Sequence, residues 1–511
     1  MKKFLTFIFI IFVIFIFLTP FIISCNSKSS GETAEKIEEK SDAANENTAE
    51  DEAAAAKEAV KILPDLPEMD FNGYEFKVLI RIVDNPDWTE WRQRDIYAEE
   101  ESGDPVNDAV YRRNRAVEEK YNFTVSEIPA INNFDTILPK AVKSGDDTYD
   151  IVCPGYKDSL AIHAQSGMFL DFFGIEYIDF SKPWWDQNAP EQLKICGKLY
   201  ATFSDMLVLH KDATEAMIFN KQLVADLGLE IPYTLVREGN WTMDKLLEFA
   251  KAGKKDLDGD AAMTTDDQFG LVAQLDSITS WVHGCGMAFG GKDNDDYPTD
   301  NFPENQKLYS VIEKTFELMY DEGTIDLHHY ENKFPIYDYQ RNMFSENRGL
   351  VSWIRMRIVE TLRSMETDFG ILPLPKYDKE QSKYYSYINP YTANSISIPK
   401  SCSDPDRAGF ILEALSAESR YTVQPAFYDT NLKGKYSRDN DSEEMLDIIF
   451  SNENTIFDVM EIYGFGNFVR EYIDLFRKQS PSEYMSLYEK RQENIEKAIL
   501  KCIGNFTSLS D

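Results

Sequence analysis

Twelve residues, Asp256-Leu-Asp-Gly-Asp-Ala-Ala-Met-Thr-Thr-Asp-Asp267, place side-chain oxygens at loop positions 1, 3, 5, 9 and 12. Ala262 adds its carbonyl at position 7. This oxygen-rich spacing is what a hard Ca²⁺ ion takes, and it nominates Asp256, Asp258, Asp260, Ala262, Thr264 and Asp267 as ligands of a structural calcium ion. Two residues depart from the pattern. Ala261 stands at position 6, where the sharp turn favours glycine, and Asp267 has a shorter arm than the bidentate ligand usual at position 12. The bland reading of the same residues is a solvated acidic turn. A strand pattern, Phe269-Gly-Leu-Val-Ala273, follows the loop, so any calcium role is structural. Other chemistry finds little support. The five histidines include His163, His210, His283 and the His328-His329 pair, none in an HExxH arrangement. No nucleophile elbow or phosphate-binding glycine loop stands after a strand. Catalytic residues: none are nominated.

The other chemically distinctive residue is Cys25. Lys2 and Lys3 precede a nearly unbroken apolar run from Phe4 to Ile23, which stops at Ile22-Ile23-Ser24-Cys25 and turns polar. This layout resembles a bacterial lipoprotein signal, with Cys25 as the lipidated first residue of the mature chain and a diacylglyceryl group supplying stable anchoring. The alternative is an uncleaved membrane anchor, since about 20 apolar residues span a bilayer. Either way the rest of the chain lies outside the cytoplasm. Five cysteines remain (153, 196, 285, 402 and 502), an odd count without a CxxC pair, and no disulfide is assigned.

The elements that must position a site come next. Residues 26–62 are Ala, Glu, Lys, Ser, Asn and Thr with almost no large apolar side chain, and read as a flexible acidic tether. Beyond it, Tyr74-Glu-Phe-Lys-Val-Leu-Ile-Arg81 is a strand pattern. A helix capped by Asp108 or Asn107 follows, with Val110, Asn114, Val117 and Tyr121 on one face. A short strand at Phe123, a helix from Phe134 to Ser144 stopped by Gly145, and a buried strand Tyr149–Pro154 complete an α/β unit with parallel connections. Lys+Arg 53 against Asp+Glu 88 gives a net charge of −35 over 511 residues, which excludes a nucleic-acid binder.

Six motifs in this order resemble family 1 extracellular solute-binding proteins, the maltodextrin- and multi-sugar-binding components of ABC importers. They are Gly145-Asp-Asp-Thr-Tyr-Asp-Ile-Val152 with Ala164-Gln-Ser-Gly-Met-Phe-Leu-Asp171, Gly197-Lys-Leu-Tyr-Ala201, Ala216-Met-Ile-Phe-Asn-Lys221, Glu238-Gly-Asn-Trp-Thr-Met-Asp-Lys-Leu246, Phe369-Gly-Ile-Leu-Pro-Leu-Pro375, and Ser395-Ile-Ser-Ile-Pro-Lys400 followed by Pro405–Glu413. The resemblance implies a periplasmic-binding-protein-like α/β fold, with two lobes joined by crossing hinge segments and a ligand cleft between them. It places residues 63–175 and about 392–435 in lobe 1, and 176–391 and about 436–511 in lobe 2. It also implies a monomeric, lipid-anchored receptor that captures a small solute, an oligosaccharide by family, and passes it to ABC permease subunits without catalysis. A cationic peptide or polyamine suits an acid- and aromatic-rich cleft too. A cell-surface glycan-active enzyme and a lectin-like binding module are the competing readings.

Sugars need flat apolar faces and planar polar side chains. Strand ends and loops in the implied cleft nominate Trp88, Trp91, Tyr156, Asp158, Asp205, Trp281, Trp353, Arg355 and Tyr391 as ligand-binding residues. Trp184 and Trp185 are adjacent on a polar connector and cannot both face one way on an extended chain, so one of them is expected to be a structural anchor.

Overall fold

The computed structural model describes residues 61–84, 91–157, 159–303, 305–428, 440–451, 453–478, 480 and 483–509. The signal segment, Cys25, the tether as far as residue 60, Trp88 and Asp158 lie outside the described residues. Leu63–Asp511 forms one compact unit. Among the described residues no helix is long and apolar enough to cross a membrane. The five described cysteines are free thiols.

The first lobe is built on a three-stranded parallel sheet of order β2-β1-β3: β1 (Tyr74–Ile82), β2 (Phe123–Ile131) and β3 (Ile151–Cys153). Tyr74 stands opposite Phe123, and Val78 opposite Ile151. The β1–β2 crossover is the helix Pro105–Tyr121, whose Val110, Asn114, Val117 and Tyr121 are buried as their spacing predicts. Its cap is not Asp108 or Asn107. Asp104 accepts from the amides of Val106 and Asn107, and Pro105 takes the first helical position, where its missing N–H loses no hydrogen bond. Asp108 instead ties back the preceding loop by accepting from the Ser102 and Gly103 amides. The helix Phe134–Ser144 ends on Gly145 in the left-handed conformation at φ 67°, as expected.

The second lobe carries a seven-stranded mixed sheet of order β12-β11-β4-β9-β5-β8, with a further strand beside β4. In chain order the strands are β4 (Thr214–Asn220), β5 (Phe269–Ala273), the hairpin pair β6 (Gly290–Lys292) and β7 (Pro298–Asp300), β8 (Thr324–Asp326), β9 (Gly349–Arg355), β10 (Phe369–Leu372), β11 (Ser386–Ile388) and β12 (Thr455–Ile456). The β6–β7 hairpin is a separate two-stranded ribbon, and β10 is the strand beside β4. Every residue of β4, β5 and β9 is buried, the pattern of strands covered on both faces. One covering element is the helix Met243–Gly253, capped by Thr242. It lies so close to β5 that a Cβ on Gly270 would sit 2.0 Å from the Ala250 carbonyl oxygen.

An outgoing and a returning segment cross between the lobes, and the chain passes to the second lobe again between Tyr421 and β12. The first lobe runs past the expected boundary at residue 175, because Thr202 pairs with Ile396 on the segment that docks against Val152. After Tyr200–Ser204 the chain enters the second lobe through Ala213, whose carbonyl accepts from the Asn389 amide on the way back. The returning segment Ser395–Pro399 then docks antiparallel on the first lobe, through Val152 opposite Ser397 and Phe169 opposite Pro399. The helix Pro405–Tyr421 packs there as well, its Phe410 ring set edge-on to Tyr121 at 4.9 Å.

Candidate functional site

The carboxyl ends of β1 and β3 face the ends of β5 and β9 and the start of β4, which is where ligands collect on open α/β sheets. On the first-lobe side, Arg81 near the end of β1 lies over Gly155, where a Cβ would come within 3.0 Å of the guanidinium. Asn394 of the returning segment donates to the Arg81 carbonyl and to Gln93. Lys157 sits 4.6 Å above the Tyr391 ring and donates to the Glu461 carbonyl at 3.0 Å.

On the second-lobe side the centre is Arg355, the last residue of β9 and 6% exposed. Its Nη2 donates to Asp276 at 2.8 Å, and its Nε lies 3.5 Å from Glu215. The guanidinium is enclosed by the rings of Trp353, Tyr337 and Trp91, at 5.3, 5.5 and 5.8 Å. Glu215 also accepts from the Trp353 indole, from Asn389 and from Ser280. Asp276, placed by the turn from β5 into the helix Ser277–Gly284, also accepts from the Tyr337 hydroxyl at 3.1 Å.

The structure therefore brings Trp91, Trp353, Arg355 and Tyr391 into one neighbourhood. Two small adjoining clefts meet at Trp91, one lined by Tyr337, Trp353 and Arg355, the other by Arg81, Tyr391 and Asn394. Trp91 and Tyr391 are half-buried, whereas Trp353 is covered by protein. Trp281 is fully buried in the helix that carries Ser280. Tyr156 is buried against Phe203 and Phe457, and its hydroxyl has no hydrogen-bond partner. Asp205 belongs to another groove, where it pairs with Lys211 and Arg420 beside Gln424. Sequence reasoning missed Arg81, Lys157, Glu215, Asp276 and Tyr337. Arg81 and Asp276 were recoverable as polar residues at strand ends. Glu215 was masked by its position inside an otherwise apolar strand, and Tyr337 by its helix.

Burial pushes the Glu215 carboxyl up from 4.5 to about 7, against the pull of Arg355. Burial does the same to Glu413 and to Asp186, each reaching about 7. A carboxyl raised in the folded state binds protons that the unfolded chain has released. Its stabilisation is complete below the unfolded pKa and is lost as pH rises through about 7. His210 opposes this, because burial lowers its pKa and the folded state resists its protonation as pH falls below 6.5. Burial lowers His328 in the same sense, whereas Glu127, raised by burial to about 7, and His283, which burial would lower but Asp458 raises, add to the three carboxyls. The unfolding free energy is therefore expected to fall between about pH 5 and about pH 8. Denaturant unfolding at the two pH values checks this. Glu215→Gln is expected to flatten the slope, and an unfolding free energy that rises toward pH 8 would reject the account.

The Asp-rich loop is closed at its base by an antiparallel bridge between Lys255 and Gln268. Asp256, Asp258 and Asp260 each offer an oxygen within 4.8 Å of the others, all three side chains exposed. Ala261 takes the left-handed turn at φ 69°, and its amide donates to Asp256 at 2.9 Å. Asp267, expected as the twelfth-position ligand, is not one of these three; it is buried and accepts from the amides of Leu257 and Thr264, both at 2.8 Å.

No family model matches this chain, and no curated protein matches it. Solved structures do. A cyclo/maltodextrin-binding protein in complex with maltotetraose aligns over 86% of this chain and 100% of its own, at 14% identity and a TM-score of 0.51. The maltose/maltodextrin-binding domain from Bdellovibrio bacteriovorus bound to maltotriose aligns over 85% and 100%, at 16% identity and a TM-score of 0.47. The ABC substrate-binding protein from Listeria monocytogenes in complex with cycloalternan aligns over 85% and 98%, at 12% identity and a TM-score of 0.47. At such identities the likeness is one of fold. The chain has the two-lobed α/β fold of periplasmic-binding-protein type that the sequence motifs imply.

Proposed function

We propose that this protein is an extracytoplasmic receptor of an ABC importer, anchored through lipid on Cys25, that captures a solute in the interlobe cleft and delivers it to permease subunits. The observation that carries this reading is the convergence of both sheets' strand ends on Trp91, Tyr391 and Arg355, in a fold shared with a maltotetraose-bound binding protein. The solute class is an oligosaccharide: the half-buried Trp91 and Tyr391 rings offer apolar faces, and the groups around them are planar hydrogen-bonders such as Asn394 and Arg81. The protein performs no chemistry on the solute, acts as a monomer, and closes over it because the closed form binds it better.

Titration with maltotetraose and related glycans, followed by calorimetry and melting temperature, tests this, with a cationic peptide and a polyamine as the competing arms. Saturable heat with a glycan alone is the expected result. Cleavage of the glycan would replace the receptor reading with the glycan-active one. Loss of membrane retention in Cys25→Ser tests the anchor. In the same reading the Asp256–Asp267 loop holds a structural Ca²⁺ through Asp256, Asp258 and Asp260, with the Ala262 carbonyl and Thr264 completing the oxygen set and Asp267 bracing the loop. Adding Ca²⁺ is expected to raise the melting temperature of the wild type and not of Asp258→Asn.

A further inference from the structure

The helix Tyr484–Ser508 is 25 residues long, about 38 Å at the α-helical rise. Its first half is fixed to the second lobe. The Tyr488 hydroxyl donates to Asp300 of β7 at 2.9 Å, and its ring stacks on Phe302 at 4.9 Å. Arg491 pairs with Glu471 of the helix Phe468–Arg477, and Gly466 makes room for Ile495. The helix Phe468–Arg477 in turn packs on the second-lobe helix Gln306–Met319, through Phe476 stacked on Phe316 at 4.0 Å.

The last turn of the same helix sits on the first lobe. Phe506 is buried, stacks on Tyr200 at 5.4 Å and also meets the Tyr463 ring edge-on at 5.9 Å, and Asn505 donates to Gln165 at 3.3 Å. Leu509 rests on Gly167, at φ 67°, where a Cβ would lie 2.7 Å from its side chain. One stiff rod thus has its two ends on bodies that a hinge must move apart. In the same arrangement the lobes already touch across the cleft, through Arg355 against Trp91 and Lys157 against Glu461.

We propose that the C-terminal helix is an interlobe strap, whose anchor at Asn505, Phe506 and Leu509 holds the cleft shut and lets go of the first lobe when the cleft opens. The inference rests on the two-lobed fold alone, so it survives or fails independently of which solute the cleft takes.

The test uses the full chain without solute, carrying fluorophores on non-canonical residues placed at the exposed positions 143 and 255, one on each lobe. Leu509→Ala and Phe506→Ala are expected to shift the interlobe distance distribution to longer values and broaden it. Gly167→Ala, which pushes Leu509 off its seat, should do the same. Melting and near-UV circular dichroism report whether each variant keeps its fold. Leu509→Ala removes only a terminal, half-buried side chain, so it decides the question if Phe506→Ala unfolds. A wild-type distance distribution in folded Leu509→Ala and Gly167→Ala would overturn the strap.

Discussion

Glu413→Leu is expected to lower the unfolding free energy by about 2–6 kcal/mol, the loss that follows when two buried donors are left without an acceptor. Glu413 lies on the helix Pro405–Tyr421 and is 1% exposed. Its carboxylate accepts from the Trp184 indole at 3.1 Å and from the Trp185 indole at 2.8 Å, both rings fully buried. The adjacent pair was expected to supply one structural anchor, because side chains on an extended strand alternate. The chain is not extended there. A turn closed by the Trp185 amide on the Lys182 carbonyl brings both indoles round to the same acceptor, so both are anchors. Leu fills the volume but offers no oxygen, whereas Gln keeps one. Glu413→Gln should therefore lose less than half as much. Guanidinium unfolding of the three proteins reads the difference, and equal losses in Leu and Gln would show that packing, not acceptance, is what Glu413 provides.

The sequence carried the scaffold well because the scaffold is made of local patterns. The buried face of the Pro105–Tyr121 helix follows from its spacing, the stop at Gly145 from its freedom at positive φ, and the parallel first sheet from alternating strand and helix patterns. Where a local rule failed, a neighbour outcompeted it. Asp104 displaced Asp108 as the cap because Pro105 fixes the first helical turn behind it. The site was less legible, since burial by distant segments decides which ring is a face and which is core. Trp281 and Trp353 stand at strand and helix ends, yet both are buried, Trp353 with its indole on the distant Glu215. Glu215 and Trp353 are 138 residues apart and meet only because β4 and β9 pair antiparallel, with Glu215 opposite Arg355. No spacing rule within one segment reports a pairing of that kind.

That pairing carries the largest remaining consequence. Arg355→Met is expected to lower the unfolding free energy by about 3–5 kcal/mol, because removing one member of a buried ionic group leaves the other charges uncompensated. Glu215 is 1% exposed and would lose its only cationic neighbour among the described residues. Asp276 would lose the guanidinium that, together with His328, offsets its burial and holds its carboxyl below the usual range. Trp353, Tyr337 and Trp91 would lose the planar cation they enclose. Arg355→Lys is expected to recover little, since an ammonium cannot present a flat face to three rings and reach two carboxylates at once. Adding Glu215→Gln to Arg355→Met should restore part of the loss: Gln is neutral and its carbonyl still accepts from the Trp353 indole. The single variant should also be more sensitive to pH than the wild type, because without Arg355 the Glu215 carboxyl holds its proton to a still higher pH. Its stability then falls more steeply as pH rises through about 7. A double-mutant cycle by denaturant unfolding at two pH values measures both effects, and a double variant as unstable as the sum of its parts would show that the two residues do not act as a pair.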